Sequence, residues 1–141
     1  MSVIIDNQAR DRRVSVRDLS RKAKQVLAGI GFEDAELSLV LTDDATIHGL
    51  NRQWRDKDKP TDVLSFPQAD FERTRVLGDV IISVETAARQ APKFGNDLKA
   101  ELDRLLVHGI LHLVGHDHVH GGTQARKMKR EEERLLRLLK R

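Results

Sequence analysis

The chain has no cysteine, no tyrosine and only three prolines, and aromatic residues make up 4% of its 141 positions. Without cysteine there is no disulfide scaffold, no Cys-ligated zinc ribbon, no iron–sulfur cluster and no thiol nucleophile. So few aromatics argue against the base-stacking platforms by which single-strand-binding proteins commonly hold nucleic acid, so any such contact falls mainly to phosphate. Long apolar runs are also missing, since nothing approaches the ~18 residues of a membrane span. The first residues, Met-Ser-Val-Ile-Ile-Asp, carry no basic region and a single three-residue apolar run, unlike a secretory signal. The expectation is a soluble cytoplasmic protein with no membrane partner.

Charge is abundant: 33% of residues are Asp, Glu, Lys or Arg, and the formal net charge is +3. It is unevenly placed. Positions 121–141 hold eight basic and three acidic residues, a net of +5, which leaves 17 basic and 19 acidic residues in positions 1–120, a net of −2. This asymmetry points either to contact with an acidic surface such as nucleic acid or to a solvated helix face. The length suits one domain spanning 1–141, with enough chain to bury a core unaided.

Periodicity places the elements. Residues 2–6, around Val3, Ile4 and Ile5, read as a short strand, and 16–28 carries Leu19, Ala23, Val26 and Leu27 at helical spacing. Alternating Leu37, Leu39 and Leu41 predict a strand, followed by a helix over 45–54 with Thr42 as cap. The run 63–66, closed by Pro67, suits an edge strand. Residues 68–76 read as a hairpin loop, 78–83 as a buried strand and 83–90 as a helix capped by Ser83. Asn96 is expected to cap the next helix, Gly115 to end it, and a last helix to follow Gly121 and Gly122. The fold class expected is α+β with a small mixed sheet.

Five of the six histidines fall between His108 and His120. His108 and His112 are four apart at the end of a predicted helix, so both imidazoles share one face, one turn apart. Gly115 allows the chain to reverse, and His118 can then approach the same ion. Three imidazoles and an open position describe a catalytic rather than a structural zinc site, with one Zn2+ per chain, although nickel or iron suits the same ligands. His116 and His120 more plainly line the turn, and Asp117 either orients a ligand imidazole or, the favoured reading, caps the turn. The spacing is that of the zincin pattern His-Glu-x-x-His-x-x-Gly-x-x-His, except that Gly109 stands where those proteases keep their general base. A peptidase is thereby disfavoured.

A second segment, Asn51 to Phe66, joins a helix to a strand and interleaves Arg55, Lys57 and Lys59 with Asp56 and Asp58. Its charges either pair locally or present a guanidinium to phosphate, whose oxygens suit a flat charged fork. Spacing does not rank Arg52 against Arg55. Lys57, Lys59 and Thr61 are the candidate substrate contacts beside it.

At these segments the chain resembles the YbeY family of bacterial ribosomal-RNA maturation factors. The pieces that carry the resemblance are Asn51-Arg-Gln-Trp-Arg55 through Thr61-Asp-Val-Leu-Ser-Phe-Pro67, then Leu77-Gly-Asp-Val-Ile-Ile-Ser83, and His108-Gly-Ile-Leu-His112-Leu-Val-Gly-His-Asp-His118. The resemblance implies an α+β fold with a small four-stranded mixed sheet flanked by helices, and a single-strand-specific, zinc-dependent endoribonuclease. It implies zinc on His108, His112 and His118, and a functional arginine at Arg55. The implied roles are maturation of the 3′ end of 16S ribosomal RNA and ribosome quality control. The implied partners are ribosomal RNA and the small ribosomal subunit, with ribosomal proteins or assembly GTPases as further candidates. A non-enzymatic assembly factor with a mainly structural zinc is the alternative that the missing base at Gly109 favours. The chain departs from the family in its last helix, which is basic here and tends to be acidic there.

Overall fold

Leu37, Leu39 and Leu41 alternate on one face of a strand and are all fully buried, so this strand sits centrally in the sheet. A computed structural model of the chain describes residues 2–115 and 122–140, with side chains from 125 onward in the second stretch. Strand β1 (Ser2–Asn7) leads through helix α1 (Val16–Gly29) to β2 (Glu36–Thr42), which runs parallel to it. Helix α2 (Asp44–Arg55) and a charged loop precede β3 (Val63–Pro67). A four-residue helix α3 (Phe71–Thr74) separates β3 from β4 (Val76–Ser83). Helix α4 (Val84–Gln90), a 3-10 turn (Ala91–Phe94), α5 (Leu98–Leu113) and α6 (Gly122–Leu139) complete the order.

The sheet order is β1-β2-β4-β3, with β4 parallel to β2 and β3 antiparallel to β4. The fold is therefore α+β, as the periodicity predicts, with the four-stranded mixed sheet that the resemblance implies. β3 is an edge strand, which is where Pro67 is tolerated.

One face of the sheet meets α1, α5 and α6 in a core that includes Leu27, Leu39, Ile82, Leu106 and Met128. Each such side chain contributes about 1.5–3 kcal/mol by leaving water. The other face has a smaller cluster in which Ile47 of α2 packs on Leu64 and Ile81.

The structure corrects three expectations. Asp43 caps α2, accepting from the Thr46 N–H at 2.8 Å, whereas Thr42 is the buried last residue of β2 and its hydroxyl donates to Gln8. Asp97 caps α5 through the Ala100 N–H, and the Asn96 amide donates to Glu101 instead. The span predicted as a plain hairpin loop holds α3, bounded by Asp70 and Arg75 in the left-handed conformation. Its polar sequence has no apolar period to reveal it. Ser83 caps α4 as predicted.

Candidate active site

Leu102, Leu105, Leu106 and Ile110 bury one side of α5, which turns His108 and His112 to its half-buried flank. Their rings lie 4.5 Å apart between centroids, tilted by 51°. The helix ends at Leu113, and Gly115 follows with φ +97°, a conformation that glycine adopts without strain. The Nδ1 atom of His108 lies 2.6 Å from Oε1 of Glu132 on α6. A carboxylate accepts, so Nδ1 carries the proton and Nε2 is left with the lone pair a metal requires. His118, the third predicted ligand, lies outside the described residues, as do His116, Asp117 and His120. Among the described residues no group of three or more metal-ligating side chains assembles. The donor set of two adjacent imidazoles, one fixed by a carboxylate, suits a borderline-soft divalent ion such as zinc.

Across from the histidines, α2 stops at Arg55 because Asp56 takes a left-handed conformation, φ 56°. Asn51, 2% exposed, clamps the loop: its carbonyl accepts from the Lys57 N–H at 3.2 Å, and its amide donates to the Lys59 carbonyl at 2.9 Å. His48 holds Asp58 at 2.8 Å on the outer side. Lys57 and Lys59 are exposed and take part in no ion pair among the described residues, so these two positive charges are not consumed locally. Arg55 donates to the Ser65 carbonyl, and its guanidinium lies 5.0 Å from the centroid of the Phe66 ring. Two contacts thus fix the fork while leaving further N–H groups for a ligand. Ser65 Oγ in turn donates to the Gly109 carbonyl at 2.9 Å, which ties β3 to α5.

Arg55, Lys57, Lys59, Thr61, His108 and His112 line one open cleft of about 800 Å³. Arg52 does not reach it. It borders a separate depression on α2 with Gly49, Leu50 and Gln53, so Arg55 is the arginine the fold brings to the histidines.

Gly109 faces away from the cleft. A Cβ there would sit 2.6 Å from Cγ1 of Val80 on β4 and 3.3 Å from Cγ2 of Val63 on β3. The helix thus lies on the sheet at this point, and no side chain at 109 could act as the zincin base.

Sequence reasoning missed Glu132 and a buried network beside the cleft. The signal for Glu132 was its phase: four residues after Met128 and three before Leu135, it shares their inward side, unlike its neighbour Glu133. In the network, Gln90 Nε2 donates to Asp62 Oδ2 at 2.9 Å and to Glu101 Oε2 at 2.7 Å. Arg104 Nε donates to Glu101 Oε1 at 3.0 Å. Glu101 is completely buried. Burial pushes its carboxyl up, but the hydrogen bonds from Arg104, Asn96 and Gln90 outweigh this and hold it below the ordinary carboxylate range.

A histidine pair on one wall of a basic cleft, with a fixed guanidinium on the other, is the arrangement of an enzyme that handles an anionic substrate. The comparisons agree and go further: the chain belongs to the YbeY family, whose profile, described as Endoribonuclease YbeY, matches residues 4–140. The Endoribonuclease YbeY of Aquifex aeolicus is 45% identical over 126 residues, covering 89% of this chain and 84% of that protein. That of Pelotomaculum thermopropionicum is 50% identical over 125 residues, 84% of this chain and 82% of that protein. That of Geobacter metallireducens is 40% identical over 146 residues, 100% of this chain and 97% of that protein. A solution structure of a Thermotoga maritima protein superposes with a TM-score of 0.70 at 25% identity, covering 97% of this chain and 88% of that one. No helix among the described residues is long and apolar enough to cross a membrane.

Proposed function

We propose that this chain is a metal-dependent endoribonuclease for single-stranded RNA that acts in ribosomal-RNA processing, at the 3′ end of 16S RNA, and in ribosome quality control. The relatives named Endoribonuclease YbeY support the RNA-cleaving part. The observation that carries the chemistry is the common cleft of Arg55, His108 and His112. In this reading His108, His112 and His118 hold one zinc ion, which when bound supplies Lewis-acid polarisation at the scissile phosphate. Glu132 keeps His108 in the tautomer that can ligate. Arg55, held by Ser65 and Phe66, meets the charge that builds on the phosphate oxygens in the transition state. Lys57, Lys59 and Thr61 contact the strand beside it. The partners would be ribosomal RNA and the small ribosomal subunit, with ribosomal proteins or assembly GTPases next in line, and the compartment the cytoplasm.

The test is cleavage of a single-stranded RNA by purified protein of defined metal content. Chelation and His112→Ala should each abolish cleavage, and zinc should restore it after chelation. Equal cleavage by His112→Ala and by chelated protein would sink the metal-nuclease reading. The product ends distinguish the nucleophile, since a cyclic phosphate means that the RNA's own 2′-hydroxyl attacks.

The packing of Gly109 on Val80 favours a second reading, because it removes the usual position for a general base. In that reading the protein is a non-enzymatic assembly factor whose zinc is mainly structural. If folded Arg55→Ala and His108→Ala proteins restore normal ribosomal-RNA processing in cells lacking the protein, the second reading holds.

A further inference from the structure

Helix α6 has a cationic face that the cleft does not use. Met128, Leu135 and Leu139 bury its inner side in the core. Two of its three acids are engaged: Glu131 pairs with Arg134 at 2.8 Å, and Glu132 holds His108. Lys127, Lys129, Arg130, Arg137 and Lys140 are exposed and form no ion pair among the described residues, and Glu133 is the one acid exposed among them. The excess of positive charge in the sequence is therefore displayed rather than neutralised within the fold.

The face begins beside the histidine wall of the cleft. Lys129 precedes Glu132 by three residues and so lies one turn from the carboxylate that holds His108. Arg130 and Arg137, seven apart, continue along the outer side of a helix of 18 residues, about 27 Å long. Among the described residues none of the exposed large apolar side chains lies on α6, so the described face has nothing to insert into a bilayer.

We propose that this outer face is a phosphate track for single-stranded RNA, gripping the strand where it leaves the cleft. The proposal rests on the reading of the cleft as an RNA-cleaving site. With no aromatic side chain on α6, the grip is electrostatic, independent of sequence and strongly salt-dependent.

The test is the triple variant Lys129→Gln, Arg130→Gln, Arg137→Gln, with folding checked by circular dichroism and thermal denaturation. Three exposed substitutions should leave stability nearly unchanged. Fluorescence anisotropy measures binding of 2′-O-methylated RNAs of roughly 20 and roughly 5 nucleotides over a range of salt, with cleavage of unmodified RNA followed in parallel. The expected result is a loss of about tenfold or more for the long RNA alone, with the slope of log affinity against log salt reduced by about 2. Wild-type affinity and slope in the triple variant overturn the track, while cleavage by wild type leaves the cleft reading intact. Wild type that cuts no RNA but still binds the long strand through these residues supports the track and removes the cleft reading. Wild type that binds no long RNA overturns the track. So does a variant that keeps RNA affinity but loses binding to polyglutamate, which would make the partner an acidic protein.

Discussion

Truncating Glu132 to Ala should weaken zinc binding about 10- to 100-fold, because His108 loses the acceptor that fixes its tautomer and ring plane. Competition with a chromophoric chelator measures this without reference to activity, and an unchanged affinity would show that the contact is merely structural. At Arg55, a conservative change is not conservative. Lys keeps the charge but cannot both donate to the Ser65 carbonyl and present a fork to phosphate, so Arg55→Lys should lower kcat about 100-fold with a smaller effect on KM. The histidine pair was legible because i, i+4 spacing is a local property of a helix. Spacing did not rank Arg55 over Arg52, although the resemblance did, since the ranking depends on which side of α2 the buried Asn51 anchors. Glu132 escaped for a related reason: its partner lies 24 residues away on another helix.

Helix α5 packs on the sheet where Gly109 meets Val80, so Gly109→Ala should destabilise the protein by about 1–3 kcal/mol in chemical denaturation. Pairing it with Val80→Ala removes the atom the new methyl meets. The double variant should then be more stable than the two single losses predict, and simple additivity would argue against the clash. The network around Glu101 joins Asp62 before β3, Gln90 of α4, Asn96 and α5, and it gives stability a dependence on acid. The folded carboxyl is held below its unfolded value of 4.5, so on acidification the unfolded chain takes up the proton first. The contribution is whole above about pH 4.5 and fades as the pH falls through the folded value. Glu101→Gln should be less stable at neutral pH and should lose less on acidification, which thermal melts across that range would show. At this scale the long periodic stretches were legible and the ends were not. Thr42 and Asp43 are both capable caps, and only the burial of Thr42 in β2 decides between them.

For the molecule as a whole, zinc should raise the melting temperature, since a ligand of the folded state alone adds about 2.7 kcal/mol at a hundred times its Kd. His112→Ala should abolish the rise, and a rise that persists would place the metal elsewhere. The basic excess was readable from composition, but its display along α6 was not, because it depends on where Glu131 and Glu132 find their partners. The fold class followed from element order, whereas the sheet order β1-β2-β4-β3 rests on long-range pairing that local pattern does not encode. That order has a consequence for how the site fails. Arg55 is tied to the histidine helix through Ser65, and Ser65 belongs to β3, a strand bonded to the sheet along one side. Peeling β3 away breaks the link between the two walls of the cleft and leaves β1, β2 and β4 paired. Backbone amides of β3 should therefore exchange with deuterium before those of β2, and activity should vanish at a denaturant concentration where circular dichroism is still native. Catalysis would then read the opening of one border strand rather than the unfolding of the protein.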